Sequence, residues 1–180
     1  KAAAIFGAAV LLAAAMLHPS QGKGQTLEYA VKATYLHKFT PFVEWPSPVA
    51  EFPGGAFTFC VVGDDPLDGL LERAMQGQQV DGRPIAIRRF DHVSGNPGCS
   101  VMYVTGTSDR VAADLAAVRG MPILTVTDSA TEPAATGIIN FVLVDDRVRF
   151  GIDNAAAAAG GLSISSKLLS LAVHCTGTRQ

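Results

Sequence analysis

The sequence carries little charge and few of the residue patterns that catalysis needs. Asp, Glu, Lys and Arg make up 17% of the 180 residues and the formal net charge is −2, so no basic field exists to gather nucleic acid or an anionic membrane surface. There is no G-x-S-x-G, no phosphate-loop pattern and no G-x-G-x-x-G, which removes the usual grounds for a nucleophile elbow or a nucleotide-binding turn. Ser163, Ser165, Ser166 and Lys167 form a serine and lysine cluster, but Ile164 stands three residues before Lys167, so the S-x-x-K spacing is missing and a capped helix start explains the serines. His18, His37, His92 and His174 are scattered, with no pair at metal-ligand spacing. Internal repeats are absent as well. No catalytic residue, metal or cofactor is expected, and the length suits one domain with a real core.

Long apolar runs are also scarce, and the one that stands out lies at the start. Lys1 precedes an almost uninterrupted apolar stretch at 2–17, followed by His18, Pro19, Ser20, Gln21 and Gly22. A positive start, an apolar centre and a polar exit read as a secretory leader over 1–22, cleaved somewhere between Ala15 and Gly24. The alternative, an uncleaved anchor, needs about 20 apolar residues, more than this run supplies. No Cys follows the run, which argues against a lipid anchor.

Export places Cys60, Cys99 and Cys175 in an oxidising compartment, where pairing is permitted. Cys60 lies in the apolar run 57–62, and Cys99 immediately precedes the run 101–105. Neighbouring strands would bring these two within bridging distance and leave Cys175 free; three separate buried thiols are the alternative.

The remaining chain, 26–175, reads as a single α/β domain: a mainly parallel sheet flanked by helices, with an antiparallel C-terminal hairpin. Apolar residues recur at helical spacing over 26–43 until Pro41, predicting an amphipathic helix that Pro41 distorts or ends. Strands are expected at 57–62, 85–90, 101–105 and 122–127. Asp65 and Pro66 predict a helix start running to about Met75, and a second helix runs from near Ser108 to a stop at Gly120. Asp145 and Asp146 join 138–144 to 147–152 as a tight hairpin. Residues 155–159 are helix-prone, Gly160 and Gly161 break them, and 163–174 predicts a last helix burying Ile164, Leu168, Leu169 and Leu171.

Asp64 and Asp65 follow the first core strand, where paired carboxylates can hold Mg²⁺. The acceptor Asp and later Lys of a phosphoacceptor site are missing, so turn formation is the better account. Trp45 stands beside Pro46 and reads as a core anchor under the first helix in preference to a binding aromatic.

Three groups of residues, taken in order, resemble one family: Tyr35, Leu36, Phe39, Phe42, Trp45 and Pro46; then Cys60, Val61, Val62 and Gly63; then Ile139, Asn140, Phe141, Val148, Arg149 and Phe150 ahead of Leu162 to Leu169. They resemble the YfiR family over about 27–173. That resemblance implies an α/β fold, a periplasmic location, no enzymatic activity and a capacity to form a homodimer. The implied partner is the periplasmic domain of an inner-membrane diguanylate cyclase, repressed so that cyclic di-GMP falls and biofilm formation is restrained, or of a sensor kinase. Redox state and a small-molecule effector are implied modulators. The family's core disulfide maps onto Cys60 and Cys99, whereas its second, short-range bridge would fall around 131–141, where this chain has no cysteine. A periplasmic small-ligand binding protein serving a sensor kinase or transporter is the rival class, and an unrecognised enzyme comes third.

The expected partner surface is the C-terminal half, around 141–150 and the helix and loop 153–162, with Phe141, Phe150, Asp153, Ala157 and Ala158 as contacts. An added hairpin leaves an open edge, an alanine-rich helix permits close approach, and the family's repressor contacts lie in the matching region. Alanines that merely pack inside are the alternative.

Overall fold

The structure is a computed structural model that describes residues 21–46 and 55–177. Residues 1–20 of the expected leader lie outside the described residues, as do 47–54.

Helix α1 (Gln21–Phe39) passes into a 3₁₀ turn, Thr40–Phe42, and a short strand β1 (Val43–Glu44). Pro41 lies inside that turn, so the helix ends where the missing amide and the ring predict. Then come β2 (Phe57–Val62), α2 (Leu70–Met75), β3 (Gln79–Val80), β4 (Arg83–Phe90), β5 (Val101–Val104), α3 (Ser108–Ala117) and β6 (Leu124–Asp128). The C-terminal part holds β7 (Ile139–Val144), β8 (Arg147–Asp153), α4 (Asn154–Ala159), β9 (Ser163–Ile164), α5 (Ser166–Leu169) and β10 (His174–Thr176).

Eight strands form one sheet in the order β10-β8-β7-β6-β5-β2-β4-β3, and β1 pairs with β9 in a small antiparallel sheet. The pairs β4–β2, β2–β5, β5–β6 and β6–β7 are parallel, and β7–β8 is the expected antiparallel hairpin. Its two turn residues, Asp145 and Asp146, take φ of 49° and 56°, the left-handed values that a two-residue hairpin demands. Every residue of β2 is buried, as a central strand covered on both faces requires.

Side-chain alternation divides the interior in two. Phe57, Phe59, Val61, Tyr103, Leu124, Val126, Ile139 and Phe141 pack with Leu36 and Phe39 of α1 and Leu71 of α2. Cys60, Val62, Met102, Val104 and Ile123 face the other way, against Val111 and Val118 of the α3 side. Aromatic rings fasten α1 to the hairpin: Phe39 lies 5.0 Å from Phe150 and 5.9 Å from Phe141. Trp45 meets Phe57 edge-on at 5.1 Å, a packing role for its ring.

Two predicted helices differ from what is observed. Asp65 does accept the Leu67 amide at 2.9 Å, but Gly69 adopts φ 65° and α2 starts only at Leu70; the left-handed residue separates the Asp65 turn from the helix. The expected last helix over 163–174 is instead β9, α5 and β10. Ile164 pairs with Val43, Ser165 donates its backbone N–H to Phe42 O at 2.9 Å, and its side chain caps the four-residue α5. Leu171 is 65% exposed rather than buried. After that turn His174–Thr176 joins β8 in parallel, so tertiary strand pairing overrides the local helical period.

Candidate functional site

The strand order reverses around β2: β4 lies on one side, and the chain crosses to β5 on the other. Ligands of open α/β sheets bind at such a switch point, beyond the carboxyl ends of the strands. A cleft of about 410 Å³ occupies that position, lined among others by Asp64, Thr105, Gly106, Tyr29, Lys32 and Asp128. Gly63 keeps its mouth tight. It has φ 85°, and a Cβ there would collide with the Thr105 carbonyl oxygen, so only glycine lets β2 and β5 leave the sheet this close together.

A buried ionic cluster forms one wall. Asp128 continues the inward alternation of Leu124 and Val126 and therefore points at α1. There Lys32, 1% exposed, donates to both Asp128 carboxylate oxygens at 2.7 Å and to Glu28 one turn earlier. Tyr103 Oη donates to Asp128 Oδ2 at 3.0 Å, and Ser129 Oγ to Oδ1 at 3.1 Å. Burial pulls the Lys32 pKa down, but hydrogen bonds and charge from Asp128 and Glu28 outweigh it and hold the group above its ordinary value. Burial first, and the Asp128 charge second, push the Tyr103 phenol far up, so it stays protonated. All three ammonium protons of Lys32 are engaged, so the lysine is a fixed counter-ion rather than a free base or nucleophile.

The opposite sheet face anchors the loop after β6. Thr127 Oγ1 and the Ala130 amide both donate to Asn140 Oδ1, at 3.0 and 3.1 Å, and Asn140 Nδ2 donates to Ala130 O at 2.9 Å. Thr125 and Thr127 take the amides of Ile138 and Gly137, each at 3.0 Å. Cys60 and Cys99 are bridged, with Cα atoms 5.9 Å apart, and Cys175 is free. Asp65 bonds Arg89 Nε at 2.7 Å as well as the Leu67 amide, which makes it a turn and ion-pair residue. Among the described residues no three His, Cys, Asp or Glu side chains gather as a metal site would need.

The YfiR/HmsC-like family model matches residues 29–173, from α1 to the residue before β10. The chain belongs to the YfiR/HmsC-like family. No curated protein matches it. The family is periplasmic and generally one of non-catalytic regulators, and membership suggests a periplasmic regulator of cyclic di-GMP signalling. A disulfide is consistent with export.

Within this YfiR/HmsC-like fold the expected partner contacts separate. Phe141, Phe150 and Ala157 are buried, at 0%, 4% and 0% exposure, so their placement on an accessible surface is corrected. The two phenylalanines are the rings on which α1 packs, and Ala157 is the inward face of α4. Asp153 accepts the Ala156 amide at 2.9 Å, an N-cap, while Ala158 is exposed. Nor is the hairpin a bare edge, because β10 pairs with Gly151–Asp153 of β8.

Within the expected stretch 141–150, the accessible part is the far end of the hairpin. The β6 ladder stops at Phe141 and the β10 ladder begins at Gly151, so residues 142–149 project as a two-stranded ribbon. Leu143 and Val144 on it are 50% and 41% exposed, beside exposed Arg147 and Arg149. Strand length explains the projection: β7 and β8 run past the shorter β6 on one side and the last strand on the other.

Proposed function

We propose that this chain is a non-catalytic repressor that binds the periplasmic domain of an inner-membrane diguanylate cyclase and so lowers cyclic di-GMP. The family match over 29–173 carries the reading. The ribbon offers it a surface: Leu143 beside Val148 on one face and Val144 on the other leave apolar area in water at the tip of a hairpin, where a partner can cover it. Asp145, Asp146, Arg147 and Arg149, all exposed, surround that apolar area with a rim of both charges, which can set the register of a partner. The outer alanines of α4, Ala158 among them, add a surface that a partner can approach closely. Export by the leader at 1–22 brings the chain to that domain.

The cleft at the switch point favours a second reading, in which the chain binds a small ligand there and reports it to a sensor kinase or transporter. Gene deletion separates the two. In a strain that holds the cyclase, loss of the chain raises cyclic di-GMP under the repressor reading; an unchanged level contradicts it and leaves the ligand-binding reading.

A further inference from the structure

On the opposite side of the sheet, β4 is an edge strand over most of its length. Its outer neighbour β3 reaches only Arg83 and Pro84. The Phe90 carbonyl accepts from the Gly63 amide at 2.9 Å, so Phe90 turns its backbone toward β2. By alternation Arg88 and Ala86 do the same, whereas Ile85, Ile87 and Arg89 turn their N–H and C=O groups outward. Among the described residues no strand pairs with those outward groups. An open groove of about 590 Å³ runs alongside, lined by Met75, Pro84, Ile85 and Ile87, with Arg73 and the Arg89-paired Glu72 at its rim.

The charges at this edge are unevenly matched. Arg89 is taken up by Asp65 and Glu72 at 2.7 Å each, and Arg83 has Asp81 at 3.7 Å. Arg73 and Arg88 have no carboxylate in salt-bridge contact among the described residues. Arg88 instead lies over the Phe90 ring at 4.8 Å and donates to Pro97 O at 2.8 Å.

We infer that the outer edge of β4 docks an extended acidic segment of a partner protein, which adds to the sheet as a further strand. Backbone pairing with Ile85, Ile87 and Arg89 supplies the affinity, and alternate side chains supply the selection. Apolar side chains of the added strand lie with Ile85 and Ile87 over the groove, while acidic ones stand beside Arg88 on the other face. The unmatched arginines turn away basic strands, the usual protection of an open edge, and admit acidic ones. Four strands separate β4 from β8, roughly 24 Å at the usual inter-strand spacing, so this surface is distinct from the ribbon and does not depend on the repressor reading.

The test titrates the oxidised mature chain into a fluorescein-labelled heptapeptide, Thr-Val-Glu-Val-Glu-Val-Thr, and into its counterpart with Lys for Glu, and reads anisotropy. Saturable binding of the acidic peptide alone is expected. Ile87→Pro removes an outward N–H without touching the ladder to β2, and should weaken binding at least tenfold with little change in thermal midpoint. Arg88→Glu, which leaves the backbone intact, should weaken it several-fold. Three results would overturn the inference: no saturable binding by the acidic peptide, equal binding of both peptides, or binding unchanged in both variants. A concentration-dependent dimer abolished by Ile87→Pro would also overturn it, by giving the edge to a second copy of the chain.

Discussion

Replacing Lys32 by Met keeps the side chain's length and apolar stem but deletes the ammonium from the buried cluster. Asp128, whose side chain is 14% exposed, then retains only Tyr103 and Ser129 as partners. Removing one member of a buried ion pair costs about 3–5 kcal/mol, because the other charge is left uncompensated. Glu28 is 24% exposed and can turn to water, so the loss falls mainly on Asp128 and the lower end, about 3 kcal/mol, is expected. For a domain of this size that is a fall of roughly 6–12 °C in thermal midpoint. Urea unfolding monitored by circular dichroism measures it directly. Adding Asp128→Asn to Lys32→Met should recover part of the loss, since the amide needs no counter-charge. A loss below about 1 kcal/mol, or no recovery in the double variant, would refute the view that this cluster locks α1 onto the sheet.

Cys60→Ser with Cys99→Ser opens a 39-residue separation, which by loop-closure entropy should cost about 3.9 kcal/mol; thiol labelling of the unfolded, unreduced wild type should find one reactive thiol. Stability should also fall at alkaline pH. Tyr103 and Lys32 both hold their protons more tightly folded than unfolded, so their contributions are complete below the unfolded pKa values and shrink as pH rises past them. From about pH 10 Tyr103 alone should remove about 1.4 kcal/mol per pH unit, and Tyr103→Phe should flatten that limb in a denaturant series across pH.

Much of the fold was legible because its signals are local. Apolar runs bounded by Gly, Pro and Asp marked β2, β4, β5 and β6, and the Asp145–Asp146 turn fixed the hairpin. Where the chain's neighbours decide, reading failed. The segment from Ser163 to His174 has a helical period, yet β1 and β8 each offer it a ladder, and pairing prevails. The disulfide was legible since both cysteines adjoin strands that turn out to be neighbours. Phe141 and Phe150 were misplaced because alternation gives a residue's face but not what covers it, and the covering element, α1, lies more than a hundred residues earlier. Lys32 was overlooked, although it stands in the stripe that Leu36 and Phe39 continue at helical spacing, where a lysine requires a buried counter-ion.

Direct binding between the purified oxidised chain and the periplasmic domain of its cognate cyclase tests the central claim most sharply. Calorimetric titration should show a saturable complex, and Leu143→Asp at the ribbon tip should weaken it at least tenfold while the thermal midpoint stays nearly constant. Absence of any complex with the wild-type chain, or full affinity in the Leu143→Asp variant, would contradict, respectively, the repressor role and the ribbon as its surface.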